Sequence, residues 1–105
     1  MRRQDLKGQV VIVTGASSGV GWQSAVRLGE AGARLCVTAR GAEGLRQLRE
    51  HLESRGVECL GVPGDVTVQE DVERVVRECV EHYGRVDVLV NDAGVQSYGV
   101  FDELP

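Results

Sequence analysis

From Thr14 the chain reads Thr14-Gly15-Ala16-Ser17-Ser18-Gly19-Val20-Gly21, directly after the apolar run Val10 to Val13. Residues of these types in this order suit the capture of a pyrophosphate. Without Cβ atoms, Gly15, Gly19 and Gly21 let the backbone turn sharply and approach an anion closely. Backbone N–H groups of Ser17, Ser18, Gly19, Val20 and Gly21, at the start of a following helix, would point at that anion, aided by the helix dipole. Ser17 and Ser18 add two hydroxyls. A structural turn with a serine helix cap is the alternative reading of the same residues.

Three further positions could complete a dinucleotide site. Where an acidic residue would take a ribose 2′-OH, at the end of a second strand, this chain has Thr38-Ala39-Arg40. Loss of the carboxylate removes repulsion against a 2′-phosphate, and the Arg40 guanidinium can grip one. A solvated loop arginine is the alternative. Asp65 follows Pro63-Gly64 and could serve as an Asx turn before a helix. Asn91, whose amide both donates and accepts, could tie the end of a strand to its neighbours.

The spacing Thr14-Gly15-x-x-x-Gly19-x-Gly21 resembles the cofactor loop of the short-chain dehydrogenase/reductase family, and differs from the G-x-G-x-x-G fingerprint. Gly64-Asp65-Val66 and Asn91-Asp92-Ala93-Gly94 continue the resemblance in the family's order, across nearly the whole chain. It implies a nicotinamide dinucleotide, with NADP favoured over NAD by the basic Arg40. It also implies that Asp65 accepts from the adenine amino group with help from the Val66 backbone. Ala93 and Gly94 would keep the backbone small where nicotinamide ribose and substrate pass. The family segment is Asn-Asn-Ala-Gly, so Asp92 departs from it and alters the donor character of that position.

In the family, hydride transfer relies on a Tyr-x-x-x-Lys pair and an upstream Ser, because a developing alkoxide needs a proton donor. Lys7 is the one lysine, and Tyr83 and Tyr98 are followed four residues on by Asp87 and Asp102. These 105 residues therefore hold no such pair.

The positioning elements alternate. Residues 9–14 read as a strand, apolar throughout as in a sheet covered on both faces. A helix runs from Ser18 to Gly32, a second strand from Arg34 to Ala39, and a second helix carries Leu45, Leu48 and Leu52 on one face as far as Gly56. Val57 to Val62 is a third strand, halted by Pro63-Gly64. Thr67-Val68-Gln69-Glu70 has the form of a capping box, opening a third helix that Gly84 ends. Val86 to Val90 is a fourth strand, and the chain after Gly94 reads as loop. The expected fold is α/β, a Rossmann-type doubly wound parallel sheet of order 3-2-1-4 with three helices. Its ligand crevice lies at the switch point beyond strands one and four. The edge of strand four is expected to be apolar and unpaired.

Composition narrows the function classes. Glycine, 14 of 105 residues, stands at about twice its usual share of roughly 7%. A net charge of −4 argues against nucleic acid and against an anionic membrane surface. The charged N-terminus does not read as a signal peptide. Three cysteines without a C-x-x-C argue against a disulfide framework or a zinc site, and point to the reducing cytoplasm. His51 reads as a solvated helix residue and Trp22 as packing. Residues 1–105 are read as the N-terminal part of an NAD(P)-binding domain from an NADP-dependent oxidoreductase, whose carbonyl or alcohol substrate and oligomer interface would belong to a longer protein. A non-catalytic dinucleotide-binding module and a non-functional fragment are the alternatives.

Overall fold

The computed structural model describes residues 5–17, 19–91 and 96–100, the last segment as backbone only. Its elements are β1 (Val10–Thr14), α1 (Gly19–Glu30), β2 (Arg34–Ala39), α2 (Ala42–Ser54), β3 (Cys59–Pro63), α3 (Gln69–Tyr83), β4 (Val88–Asn91) and β5 (Gln96–Val100). Among the described residues they form one sheet of order β3-β2-β1-β4-β5. The first four strands are parallel, in the expected order 3-2-1-4 with three helices.

Strand alternation explains how an unbroken apolar run can serve two cores. Val11 and Val13 of β1, with Leu35 and Val37 of β2, pack against Leu45, Leu48 and Leu52 of α2 and Ala25 of α1. Val10, Ile12 and Cys36 face the other way, onto Val75 and Cys79 of α3. Leu48 and Leu52 are fully buried, and burial of a leucine contributes roughly 1.5–3 kcal/mol. Among the described residues, no helix is long and apolar enough to cross a membrane.

The chain after Gly94 is not loop throughout: Gln96–Val100 forms β5, antiparallel to β4. The edge of β4 is therefore paired, contrary to the expectation of a bare one. An open row of strand N–H and C=O groups favours pairing with a chain that returns within hairpin distance. Tyr98 and Val100 favour strands, but set among Gln96, Ser97 and Gly99 they give too short a signal to separate the segment from loop.

Smaller differences have local causes. Val57 donates its N–H to the Leu52 carbonyl, closing the end of α2, and the pairing of β3 therefore begins only beyond it. β3 continues through Pro63, which an edge strand tolerates because the missing N–H has no required partner. The capping box is not formed. Val68 occupies the cap position without a side-chain bond, because Thr67 turns its hydroxyl to Asp65 instead.

β4 starts at Val88 rather than Val86, and Asp87 is the reason. Its Oδ2 accepts from the Val10 N–H at 2.8 Å, while its own N–H donates to the Val10 carbonyl at 2.9 Å. Arg85 donates to Oδ1 at 2.6 Å. Burial alone would raise the Asp87 pKa, but the Arg85 and Val10 bonds outweigh it, and the carboxyl lies below its ordinary value. A depressed folded-state pKa gives stability that is present above the unfolded value and lost as pH falls through the folded one. Asp87→Ala is expected to cost about 2 kcal/mol at pH 7, from one charged hydrogen bond lost and one donor left unpaired. Urea unfolding at several pH values checks this: the gap to the unsubstituted chain should narrow only below about pH 4. A gap that persists unchanged at pH 2 would assign the loss to packing instead.

Candidate functional site

The strand order reverses at β1, whose neighbours β2 and β4 lead the chain to opposite sides. An open cleft of about 900 Å³ lies beyond the carboxyl ends of β1, β2 and β4. The turn after Thr14 forms one wall. Gly15 and Gly19 have φ of +60° and +55°, left-handed values that side chains with a Cβ rarely adopt. A Cβ on Gly21 would lie 2.1 Å from the Gly15 carbonyl oxygen, so the first turn of α1 sits directly against the loop backbone. The Ala16 N–H donates to the Thr38 carbonyl at 3.1 Å, anchoring the loop to the end of β2.

The first turn of α1 carries no acidic residue. Its positive dipole end is thus uncompensated by a side chain of that turn. Val20 is 69% exposed at the cleft wall. At the end of β2 the acidic position is filled by the buried Ala39. Arg40 follows with its side chain 81% exposed, its Nη1 lying 4.0 Å from Asp65 Oδ2.

Asp65 stands across the cleft from the glycine turn. Its Oδ1 accepts from the Thr67 N–H at 2.9 Å and the Thr67 hydroxyl at 2.7 Å, which is the Asx turn the sequence allows. The Thr67 hydroxyl, then its backbone N–H, and Arg40 more weakly, hold the Asp65 carboxyl below its ordinary value. Oδ2 faces the arginine. The Asp65 N–H in turn donates to Asp71 Oδ2 at 2.9 Å, fixing the turn to the start of α3. Asn91 closes the floor: its Oδ1 accepts from the Thr14 hydroxyl at 2.7 Å, joining the ends of β1 and β4.

Gly15, Ser17, Gly19, Val20, Gly21, Arg40, Asp65, Val66 and Asn91 all line this one cleft. Ser18, Ala93 and Gly94 lie outside the described residues. Sequence reasoning passed over Thr14 as the partner of Asn91. Its signal was a polar residue closing an otherwise apolar strand.

The tyrosine of α3 belongs to the opposite end of the sheet. Its hydroxyl donates to the Leu35 carbonyl at 2.8 Å, and burial, then the nearby Glu58 carboxylate, pushes the Tyr83 phenol far above its usual range. Lys7 lines a separate groove with Gly32 and Arg55, at that same end. Trp22 gains a fuller account than packing alone: its ring lies 5.4 Å from that of His51, which also accepts from Arg55 Nε at 3.1 Å. His51 is therefore part of the α1–α2 contact rather than a purely solvated residue.

Known proteins share both this sequence and this geometry. A Streptomyces coelicolor protein named, provisionally, a ketoacyl reductase is 47% identical over 104 residues, which cover 99% of this chain and 39% of that protein. The peroxisomal 2,4-dienoyl-CoA reductase of Arabidopsis thaliana is 38% identical over 99 residues, covering 94% and 33%. Among solved structures, a variant of actinorhodin polyketide ketoreductase with NADPH superposes with a TM-score of 0.79 and 48% identity, covering 90% of this chain and 36% of that one. A short chain dehydrogenase from Mycobacterium smegmatis gives 0.84 and 37%, covering 89% and 40%. The chain spans 28% to 39% of the first curated relatives' own length. The sequence family described as short chain dehydrogenase matches residues 9–105, and this chain belongs to it.

Proposed function

We propose that residues 1–105 are the cofactor-binding part of an NADPH-dependent oxidoreductase that reduces a carbonyl substrate. The observation that carries this reading is the single cleft in which the Gly15–Gly21 turn, the unneutralised start of α1 and Arg40 come together with no carboxylate at the end of β2. The donor set fits the group. Backbone N–H groups of the turn suit a pyrophosphate, and the exposed guanidinium suits a 2′-phosphate. Asp65 Oδ2, not engaged by the Thr67 bonds, is available to the adenine amino group beside Val66. Asn91, held by Thr14, gives the cleft a fixed floor.

Once bound, NADPH supplies the hydride. The residues of this chain bind and orient it. The proton donor belongs to a longer protein, since Tyr83 is spent on Leu35 and Lys7 lies at the far end of the sheet. The relatives favour a ketoacyl substrate: the two at 47% and 48% identity are named for ketoacyl and polyketide ketone reduction. The cytoplasm is the compartment that suits this chemistry, and the longer protein is read as a homo-oligomer.

A second reading has its own support. Without a Tyr-x-x-x-Lys among these 105 residues, the chain by itself would bind the dinucleotide without turnover. Titrating the chain and a longer protein containing it with NADPH and NADH, followed by nicotinamide fluorescence, tests both readings. Saturable binding is expected with NADPH tighter by roughly ten- to hundred-fold, corresponding to one charged hydrogen-bonding group, and ketone reduction by the longer protein only. Absence of saturable binding by either protein overturns the assignment, and tighter NADH overturns the NADP preference.

A further inference from the structure

The turn Pro63-Gly64-Asp65 carries the Asp65 carboxylate from the end of β3 into the cleft, with a glycine at its centre. Both Asp65–Thr67 bonds lie within residues 65–67. They orient the carboxylate within the turn and leave the turn itself to be anchored from outside. On one side the sheet anchors it: the Gly64 N–H donates to the Ala39 carbonyl at 3.0 Å. On the other side two residues of α3 do so. Arg74 Nη2 donates to the Pro63 carbonyl at 2.7 Å, and Asp71 Oδ2 accepts from the Asp65 N–H at 2.9 Å. Three positions apart, Asp71 and Arg74 are neighbours on one helix face, with Oδ1 and Nη2 separated by 3.6 Å. Their ion pair thus bridges the peptide before Gly64 and the peptide after it. A Cβ on Gly64 would lie 3.5 Å from Arg74 Nη2, so the guanidinium rests against the glycine. An acid in the first turn of α3 also offsets the helix dipole, but Glu70 shares that task. Asp71, in addition, reaches back to the Asp65 N–H.

We propose that Asp71 and Arg74 are positioning residues for base recognition, their ion pair fixing the Gly64 turn so that Asp65 presents Oδ2 to the 6-amino group of adenine. This rests on the reading of Asp65 as the acceptor for that group. Neither Asp71 nor Arg74 is among the described residues that line the cleft, so each acts through Asp65. Hydrogen bonds weaken steeply as their angle departs from linear. Rotation of a peptide beside Gly64, once released from α3, would misdirect the carboxylate without unfolding the sheet. Both side chains of the pair are partly exposed, so water can satisfy the backbone groups that their loss would free. The effect on recognition therefore exceeds the effect on stability.

The test titrates the 105-residue chain, and a longer protein containing it, with NADPH and with its hypoxanthine analogue, in which a carbonyl oxygen replaces the 6-amino group. Nicotinamide fluorescence reads both. The unsubstituted protein is expected to prefer NADPH by roughly ten- to hundred-fold, the range for one hydrogen bond to a charged group. Asp65→Ala should abolish the preference. Asp71→Ala and Arg74→Ala should each reduce it by about five-fold, the worth of one ordinary hydrogen bond. Asp71→Asn keeps an oxygen for the Asp65 N–H and should retain most of it. Urea unfolding checks that each variant is folded, and Arg74→Ala carries the same test where Asp71→Ala does not fold. An unchanged preference in both alanine variants overturns the proposal. So does a parallel loss of both affinities with their ratio intact, because the pair would then only support the fold. Equal affinity of the unsubstituted protein for the two bases overturns the reading of Asp65, and this proposal with it.

Discussion

Gly21→Ala is expected to destabilise the fold by about 3 kcal/mol, the upper end of overpacking costs, and to weaken NADPH binding at least ten-fold. The added Cβ would lie 2.1 Å from the Gly15 oxygen, 2.8 Å from its carbonyl carbon and 3.1 Å from the Ala16 Cα. All three are backbone atoms, so no side-chain rotation relieves the clash. Either α1 moves away from the turn or the turn moves away from β1. The first loosens Ala25 against its core cluster. The second shifts the N–H groups proposed to hold the pyrophosphate. Since a domain of this size has only about 5–15 kcal/mol of net stability, the loss would be plain in urea unfolding. Gly41→Ala is the matched control, because its Cβ would meet nothing within 4 Å. That variant should change stability by less than about 1 kcal/mol. Equal unfolding midpoints for the two variants would mean that α1 does not abut Gly15 as described.

The second large effect concerns cofactor choice rather than stability. Arg40→Ala should leave the unfolding midpoint nearly unchanged, since an 81% exposed guanidinium 4.0 Å from a carboxylate holds little energy. NADPH affinity, in contrast, should fall by roughly ten- to hundred-fold, the worth of a charged hydrogen bond to the 2′-phosphate. NADH affinity should stay as it was. Arg40→Lys keeps the charge but loses the planar fork, and should fall between the two. Paired titrations with both reduced cofactors read the result directly. A parallel loss for NADPH and NADH would show that Arg40 shapes the cleft in general and does not read the 2′-phosphate. Unchanged NADPH affinity would leave the guanidinium a solvated loop residue.

Much of the fold was legible because periodicity and punctuation agree. The apolar runs starting at Val10 and Arg34 are short and bounded by turn residues, as strands buried on both faces are, and Leu45, Leu48 and Leu52 recur at the spacing of one helix face. Gly84 ends α3 with φ of +85°, and its N–H donates to the Val80 carbonyl. These are local effects, carried by residues within a few positions of one another.

What failed was competition between partners that residue types alone do not rank. Thr67-Val68-Gln69-Glu70 has the letters of a capping box, yet the Asp65 carboxylate takes the Thr67 hydroxyl. Asp87 lies inside the run expected as a strand from Val86 to Val90. In the fold it binds Val10, 77 residues away, and sets where β4 begins. The fifth strand escaped notice because its partner, not its composition, makes it a strand.

The sequence by itself determined the alternation of strands and helices, the glycine turn and the chemical types gathered for a dinucleotide, because these depend on spacing and backbone freedom. Tertiary structure alone decided which carboxylate faces Arg40 and that Thr14 holds Asn91. These pairings join residues 25 and 77 positions apart, and only the packing of the sheet between its helices brings them within reach.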